Sequence, residues 1–178
     1  MKKTLVFLAI MLITNIKTTY AFIPKKSNTE INKDSLRIAE LNQYWKALSK
    51  TVKEGDFEGY AAAYHEDAVV IFATGKNKVS VPLAKALASW KQGFNDTKAG
   101  KNKSGVTFRF SQRIGDATTA HETGIFKYYT SDSNNKNNVE IMIHFEMLLV
   151  KKNDKWLGVM EYQKNQATLK EWEALKNK

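Results

Sequence analysis

The sequence predicts an α+β domain, in which helices cover one face of a curved antiparallel sheet. Two observations predict this class. Apolar residues recur at helical spacing in the first half of the chain, and from Val106 onward they alternate with a period of two. The second half reads as four long strands joined by short turns, which favours an antiparallel meander. A chain of 178 residues is long enough to bury one core of this kind.

Residues 1–21 have the pattern of a secretory signal peptide. Lys2 and Lys3 precede an apolar stretch at 5–13, and the small residue Ala21 stands at the expected cleavage site. The stretch is about half as long as the roughly 20 residues that a membrane-spanning helix needs. We therefore expect an exported protein, periplasmic or secreted, without stable membrane insertion after cleavage. An uncleaved N-terminal anchor is the alternative.

Cleavage would leave a polar linker at 22–33 and a single domain at 34–178. The chain has no cysteine, which excludes disulfides, thiol chemistry and thiolate metal sites. Its net charge of +10 would fall to +7 in the mature protein, so the surface remains basic. Only 3 of the 28 basic residues are arginines, the residue that suits specific phosphate recognition, so we expect no nucleic-acid partner.

A helical hairpin is predicted at the start of the domain. Asp34 or Ser35 can cap the first helix, Gly55 can end it, and Asp56 can cap a shorter second helix. The apolar stripe of the first helix is Ile38, Leu41, Trp45, Leu48 and Val52. The corresponding positions of the second helix are Phe57, Tyr60, Ala61 and Tyr64.

A strand at 68–73 and a turn at 74–78 are predicted next, because this stretch is apolar and β-branched and then rich in turn residues. Ser80 can cap a third helix that has Pro82 in its first turn. Its apolar stripe is Leu83, Leu87, Trp90 and Phe94. Residues 95–105 are predicted to form a surface loop.

Four sheet strands are predicted at 106–114, 117–130, 139–151 and 156–163, followed by a final helix at about 166–175. The strand at 139–151 is apolar on both faces, which is not typical of a strand with one face exposed to solvent. Either the C-terminal helix or a second subunit should cover its outer face, and we expect a homodimer.

The order of these elements resembles the nuclear transport factor 2-like superfamily, in particular its SnoaL-like and ketosteroid-isomerase-like branch. The residues that carry the resemblance are Gly55-Asp56-Phe57, the run 64–70, Gly115-Asp116, the run 120–124 and Lys155-Trp156. Together they span about 35–163. The resemblance implies a cone, a strongly bent antiparallel sheet wrapped around three helices, also described as a cystatin-like roll. Members use the pocket at its open end for catalysis, ligand binding or association.

The resemblance also implies where catalytic residues would stand. The carboxylate base of isomerase-type members corresponds to Phe72, and their tyrosine corresponds to Leu48. A phenylalanine cannot remove a proton, so steroid-type isomerisation is not expected. The acid that donates a hydrogen bond in those enzymes aligns with Glu146.

Alternation along the strand puts His144 on the same face as Glu146, and the same parity on the last strand selects Leu157, Val159, Glu161 and Gln163. If these groups converge in an apolar pocket, burial could poise a carboxyl as a general acid opposite a histidine base. The expected catalytic residues are therefore Glu146, His144 and Glu161. The expected ligand-binding residues are Tyr44, Trp45, Phe72, Trp90, Glu122 and Val159.

Alternatives remain at this point. With the opposite strand parity His144 would face a dimer partner, and either Glu122 or its neighbour His121 should face inward. A metal site at His144, Glu146 and Glu161, with His121 as an optional fourth ligand, has suitable atoms, but the spacing matches no ligand signature, so we expect neither metal nor cofactor. The sequence favours an exported protein that binds a small, largely apolar molecule. A non-catalytic dimerisation or association domain is the first alternative, and an acid–base lyase, isomerase or hydrolase of unknown substrate is the second.

Overall fold

The computed structural model describes residues 28–134 and 136–176, so the expected signal peptide lies outside the described residues. In chain order the described elements are α1 (Asn28–Glu54), α2 (Phe57–Ala61), β1 (Tyr64–Phe72), β2 (Val79–Pro82), α3 (Leu83–Lys98), β3 (Asn102–Gly115), β4 (Thr119–Asp132), β5 (Asn138–Lys152), β6 (Lys155–Gln166) and α4 (Leu169–Ala174).

All six strands belong to one sheet, in the order β2-β1-β6-β5-β4-β3. Strands β3 to β6 form the predicted antiparallel meander, and β2 pairs antiparallel with β1. The exception is β1, which runs parallel to β6. The sheet curls around the helices without closing, so the predicted α+β class with a bent sheet is confirmed.

The first helix ends as the sequence predicts. Gly55 has a φ of 67°, the left-handed conformation that glycine adopts without strain. Its N–H donates to the Val52 carbonyl, and the Asp56 N–H donates to the Thr51 carbonyl, the pattern of a Schellman cap. A side chain at Gly55 would also meet the backbone of Lys98 in α3, so this corner fixes how α1 and α3 pack.

Several predicted boundaries are wrong. Helix α1 begins at Asn28, so Asp34 and Ser35 lie inside it. Tyr64 opens β1 rather than closing α2, and β2, which contains Ser80, was not predicted at all. The N-cap of α3 is Pro82, without a side-chain cap. The expected loop at 95–105 is shorter than predicted, because 95–98 belong to α3 and 102–105 to β3, which leaves only the turn at 99–101.

The core lies between α1 and the concave face of the sheet. On β5 the buried side chains are Ile143, Phe145, Met147 and Leu149. They face the predicted stripe of α1, whose Leu41, Trp45, Leu48 and Val52 are buried. Because the buried apolar side chains of β5 all lie on this face, it is the face that the sheet turns toward the core.

The C-terminal helix packs on the outer face. Thr168 and Glu171 form a capping box, which fixes the start of α4. Trp172 is buried beneath the Arg109 guanidinium, which lies 4.0 Å from its ring, and Arg109 Nη1 donates to the Trp172 carbonyl at 2.7 Å. Part of the outer face is therefore covered within one chain.

None of the helices in the described ranges is both long enough and apolar enough to cross a membrane.

Candidate functional site

A cavity of about 370 Å³ lies between the concave face of the sheet and helices α1 and α3. Trp45 and Leu48 of α1 form one side of it, and Trp90 and Phe94 of α3 form another. The sheet contributes mainly aromatic and aliphatic side chains, namely Val106, Phe108, Phe126, Ile141, Phe145 and Met147. The wall is therefore largely apolar, which is typical of a small-molecule pocket.

Glu161 is the acid on this wall, and 8% of its surface is exposed. The Tyr64 hydroxyl donates to Glu161 Oε2 at 2.6 Å, and Gln163 Nε2 donates to Oε1 at 2.8 Å. The Tyr60 hydroxyl lies 3.1 Å from that of Tyr64. The four side chains form one hydrogen-bonded chain at one end of the cavity, which we call the acid end.

Burial raises the pKa of the Glu161 carboxyl above its ordinary value, and the hydrogen bonds from Tyr64 and Gln163 offset part of this rise. Burial also raises the pKa of the Tyr60 and Tyr64 hydroxyls, with the charge of Glu161 as the next cause. Both tyrosines are therefore neutral donors. The acid end can accept a hydrogen bond from a ligand, or donate one when Glu161 is protonated.

Two irregularities in β6 decide which way its side chains point. Opposite Leu148 and Leu149 of β5 stand Met160 and Gly158, so Val159 is an extra residue in β6. This bulge lets Glu161 pair with Met147 and Gln163 pair with Phe145, on the concave face. A second shift makes Lys164 an extra residue.

Glu122 also faces the concave side, because it pairs with Met147, but it does not line the cavity. It is fully buried and accepts hydrogen bonds from the indole N–H of Trp45 and from Arg113, whose Nε and Nη2 lie 2.6 Å and 3.1 Å from its two oxygens. Arg113 Nη1 also donates to Asn42 of α1. Glu122 therefore joins α1 to the sheet, and its neighbour His121 faces outward.

The expectation that His144 and Glu146 point into the pocket is wrong. Both lie on the outer face of β5, because the odd-numbered residues of this strand fill the core. His144 Nε2 lies 3.3 Å from Glu171 of α4, and Glu146 bonds His121 and Lys164. The hydrogen bond from Lys164 is the main reason why the pKa of Glu146 is lowered. Burying this acid and a histidine instead of the larger apolar set would cost more free energy.

Of the expected ligand-binding residues, Trp45 and Trp90 line the cavity. Tyr44, Phe72, Glu122 and Val159 do not. The Tyr44 hydroxyl donates to the Ala63 carbonyl, and Phe72 packs edge-on against Trp90. Val159 is the bulge residue.

Sequence reasoning missed Tyr60, Tyr64 and Tyr128 as cavity residues. Tyr64 was missed because the sequence pattern assigned it to the second helix, whereas it is the first residue of β1. Tyr128 could have been found, because it shares the parity of Glu122 and Phe126 along a strand that was correctly predicted.

A group with metal-ligand atoms stands elsewhere in the described residues. Ligand atoms of His65, Glu66 and Asp67 lie within 4.8 Å of one another, and both acids are exposed. The ammonium of Lys152 lies 3.4 Å from His65 Nε2, where a cation would repel it. The candidate metal ligands do not form one group, since Glu161 faces inward while His121, His144 and Glu146 face outward, where His121 bonds Glu146 and His144 lies beside Glu171.

Comparisons with solved structures show the fold. A nuclear transport factor 2-like protein of unknown function from Shewanella oneidensis MR-1 matches with a TM-score of 0.54 and 16% identity over 72% of this chain and 99% of that one. A ketosteroid isomerase-like protein from Erwinia carotovora matches with a TM-score of 0.54 and 12% identity over 74% and 97%. A proposed calcium/calmodulin-dependent protein kinase II association domain from Xanthomonas campestris matches with a TM-score of 0.52 and 15% identity over 72% and 85%.

No family model and no curated protein matches the sequence. The resemblance inferred from the residues is confirmed at the level of structure: this chain has the nuclear transport factor 2-like fold, shared with ketosteroid isomerase-like proteins. At sequence identities of 12–16%, this structural similarity establishes the fold alone.

The buried Glu122 gives a prediction about stability. Glu122→Ala should lower the free energy of unfolding by about 3 kcal/mol, because it leaves Arg113 and the Trp45 indole N–H without their acceptor inside the protein. Chemical denaturation measures this loss. Glu140→Ala is the control, since Glu140 pairs with Lys127 at the surface, and it should cost less than about 1 kcal/mol. Equal effects of the two substitutions would contradict the role given to Glu122.

Glu161 gives a prediction about pH. In the unfolded chain its carboxyl ionises near its ordinary pKa of about 4.3, whereas burial raises the pKa in the folded protein. The stability contributed by its proton is therefore fully present below pH 4.3 and is lost as the pH rises through the folded pKa. Relative to Glu161→Gln, the wild type should lose stability as the pH rises above about 4.3.

Urea denaturation of both proteins across this range measures the difference. Glu146→Gln serves as the control with the opposite sign, because the folded pKa of Glu146 is lowered and its contribution grows as the pH rises. A difference between the wild type and Glu161→Gln that stays constant with pH would show that this carboxyl is not perturbed.

Proposed function

We propose that this protein binds a small, largely apolar molecule in the cavity between its sheet and helices, with Glu161 as the polar anchor. The observation that supports this most is a single buried acid, held by Tyr64 and Gln163, in a wall that is otherwise mostly aromatic and aliphatic. A cavity of 370 Å³ falls within the range of small-molecule sites. The N-terminal pattern at 1–21 supports export as the place of action.

Binding is favoured over turnover by what surrounds the anchor. The partners of Glu161 are the neutral Tyr64 hydroxyl and the Gln163 amide, Tyr60 bonds Tyr64 behind them, and the three histidines of the chain lie elsewhere. His65 is at the start of β1, and His121 and His144 are on the outer face. Because no histidine lies beside it, Glu161 would have to act alone as both general acid and general base in a lyase, isomerase or hydrolase. No observation favours that arrangement.

The four tryptophans give a built-in test of where a ligand binds. Trp45 and Trp90 line the cavity, whereas Trp156 and Trp172 do not. When 4-phenylphenol is titrated into ¹⁵N-labelled protein, the indole N–H signals of Trp45 and Trp90 should shift and those of Trp156 and Trp172 should stay. Gly93→Leu should weaken the shifts, because Gly93 is an exposed residue of the cavity lining and a leucine side chain there would obstruct the opening. Gly75→Leu, in an exposed turn, is its control.

The same titration tests the anchor. Glu161→Gln should weaken binding of 4-phenylphenol about tenfold, the cost of a hydrogen bond to a charged group, while Glu146→Gln should leave it unchanged. The absence of any shift in the wild type would overturn the proposed function. Equal affinities of the two variants would remove Glu161 as the anchor.

Association is a second candidate function, and a specific surface favours it. On the outer face, Ile114 pairs with His121, His121 with Leu148, and Leu148 with Met160, so these four residues form a row across four strands. Leu148 and Ile114 are 40% and 49% exposed, whereas α4 packs on Arg109, Lys127 and His144. One structural neighbour is described as an association domain. A second copy of this chain is the proposed partner.

Sedimentation equilibrium measures this association. The wild type should sediment as a dimer, and Leu148→Glu should shift it to the monomer, because the new charge would be buried without a partner. Val79→Glu, at an exposed apolar residue of the edge strand β2, is the control and should stay dimeric. A wild type that is monomeric at high concentration would exclude this function.

A further inference from the structure

Two carboxyl groups are buried among the described residues, and only one of them is paired with a positive charge. Glu122 is fully buried and forms an ion pair with Arg113, whose Nε lies 2.6 Å from Glu122 Oε1. Glu161 forms no ion pair with a described Lys, Arg or His side chain, and its partners are the neutral side chains of Tyr64 and Gln163. A buried carboxylate is stabilised by a counter-charge, and Glu161 has none inside the protein.

The cavity wall beside Glu161 carries no positive side chain either. The chain has 28 Lys and Arg residues, yet none of those that the structure describes lines the cavity. Lys164, the nearest lysine along β6, is the extra residue of that strand and donates to Glu146 on the outer face at 2.7 Å. Glu161 is therefore the charged group that a molecule in this cavity would meet.

Glu161 can accept further hydrogen bonds. An ionised carboxylate has about four acceptor sites, two on each oxygen. The Tyr64 hydroxyl fills one site on Oε2, and the Gln163 amide fills one on Oε1. Each oxygen therefore keeps a site that no hydrogen bond among the described residues fills. A cationic donor at these sites would stabilise the ionised form of this carboxyl.

Aromatic rings surround the acid end of the cavity. The hydroxyls of Tyr60 and Tyr64 lead to Glu161, and the rings of Trp90 and Phe94 lie 5.8 Å and 5.0 Å from that of Tyr60. The face of an aromatic ring attracts a cation and repels an anion, and the attraction is stronger where water is excluded. The wall therefore suits a positively charged group on an apolar body better than a negatively charged one.

We infer that the ligand is a protonated amine on an apolar body, whose ammonium group forms with Glu161 the ion pair that this carboxyl lacks inside the protein. This deepens the proposed function and depends on it. A primary ammonium has three N–H donors, enough to fill an open site on the carboxylate. An anionic ligand would place a second negative charge beside Glu161, and an alcohol would form a hydrogen bond without bringing the counter-charge.

Three compounds with the same biphenyl body test the inference: 4-phenylbenzylamine, 4-phenylbenzyl alcohol and 4-phenylbenzoate. The tryptophan titration is run at about pH 8, where the amine keeps its proton and Glu161 ionises more readily than at lower pH. Judged from the signals of Trp45 and Trp90, the wild type should bind the amine at least about tenfold more tightly than the alcohol, the effect of a close pair of opposite charges. The carboxylate should bind least tightly of the three.

Glu161→Gln keeps the size of the side chain and removes its charge, so the amine should then bind no more tightly than the alcohol. Glu146→Gln removes a charge from the outer face and is the matched control, which should keep the preference for the amine. Equal binding of the amine and the alcohol by the wild type would overturn the inference alone, whether or not the variants fold. A preference that survives Glu161→Gln would overturn it too. Failure of all three compounds to shift Trp45 and Trp90 would overturn the proposed function together with the inference.

Discussion

The contact between Trp45 and Glu122 is the constraint on which the rest of this structure depends. Trp45 stands in the middle of α1, packs against Phe108 and Phe145 with ring centroids 4.5 Å and 5.6 Å away, and donates its indole N–H to Glu122. Arg113 neutralises the buried carboxylate from the next strand. A charge that is buried and fully paired fixes one orientation of the helix on the sheet, since any other would leave it unpaired.

The cavity follows from this arrangement. Trp45 and Glu122 hold the middle of α1 against β3 and β4, while Glu40 ties the helix to β5 and β6 through Lys151 and the Trp156 indole N–H at 2.8 Å each. The Gly55 corner then places α3 over the part of the concave face that α1 leaves uncovered. The aromatic side chains of α3 do not fill this space, and the bulge at Val159 turns Glu161 into it.

The sequence predicted the elements whose signal is local. Helical spacing identified the four buried apolar residues in the described part of α1, and period two identified all four strands of the meander. It did not determine the inward face of β5, because both faces carry apolar residues, and alignment of Glu146 with the acid of isomerase-type members favoured the wrong one. The uninterrupted set Ile143, Phe145, Met147 and Leu149 was the better guide.

Glu161 was included among the inward residues, but for an incomplete reason. Strict alternation would place Glu161 on the same face as Leu157 and Val159. In the structure the bulge at Val159 interrupts the alternation, so Glu161 and Leu157 lie on opposite faces of the sheet. Bulges leave no reliable mark in a single sequence, because they arise from strand pairing and sheet curvature rather than from local preference. The parallel pairing of β1 with β6 is equally non-local, and it is what brings Tyr64 to Glu161.

A crystal structure of the protein with 4-phenylphenol would show where such a molecule binds. The compound should lie between Trp45 and Trp90, with its hydroxyl within hydrogen-bonding distance of a Glu161 oxygen. A compound bound on the outer face near Glu146, or a cavity in which Trp90 and Phe94 have closed over Glu161, would contradict this placement.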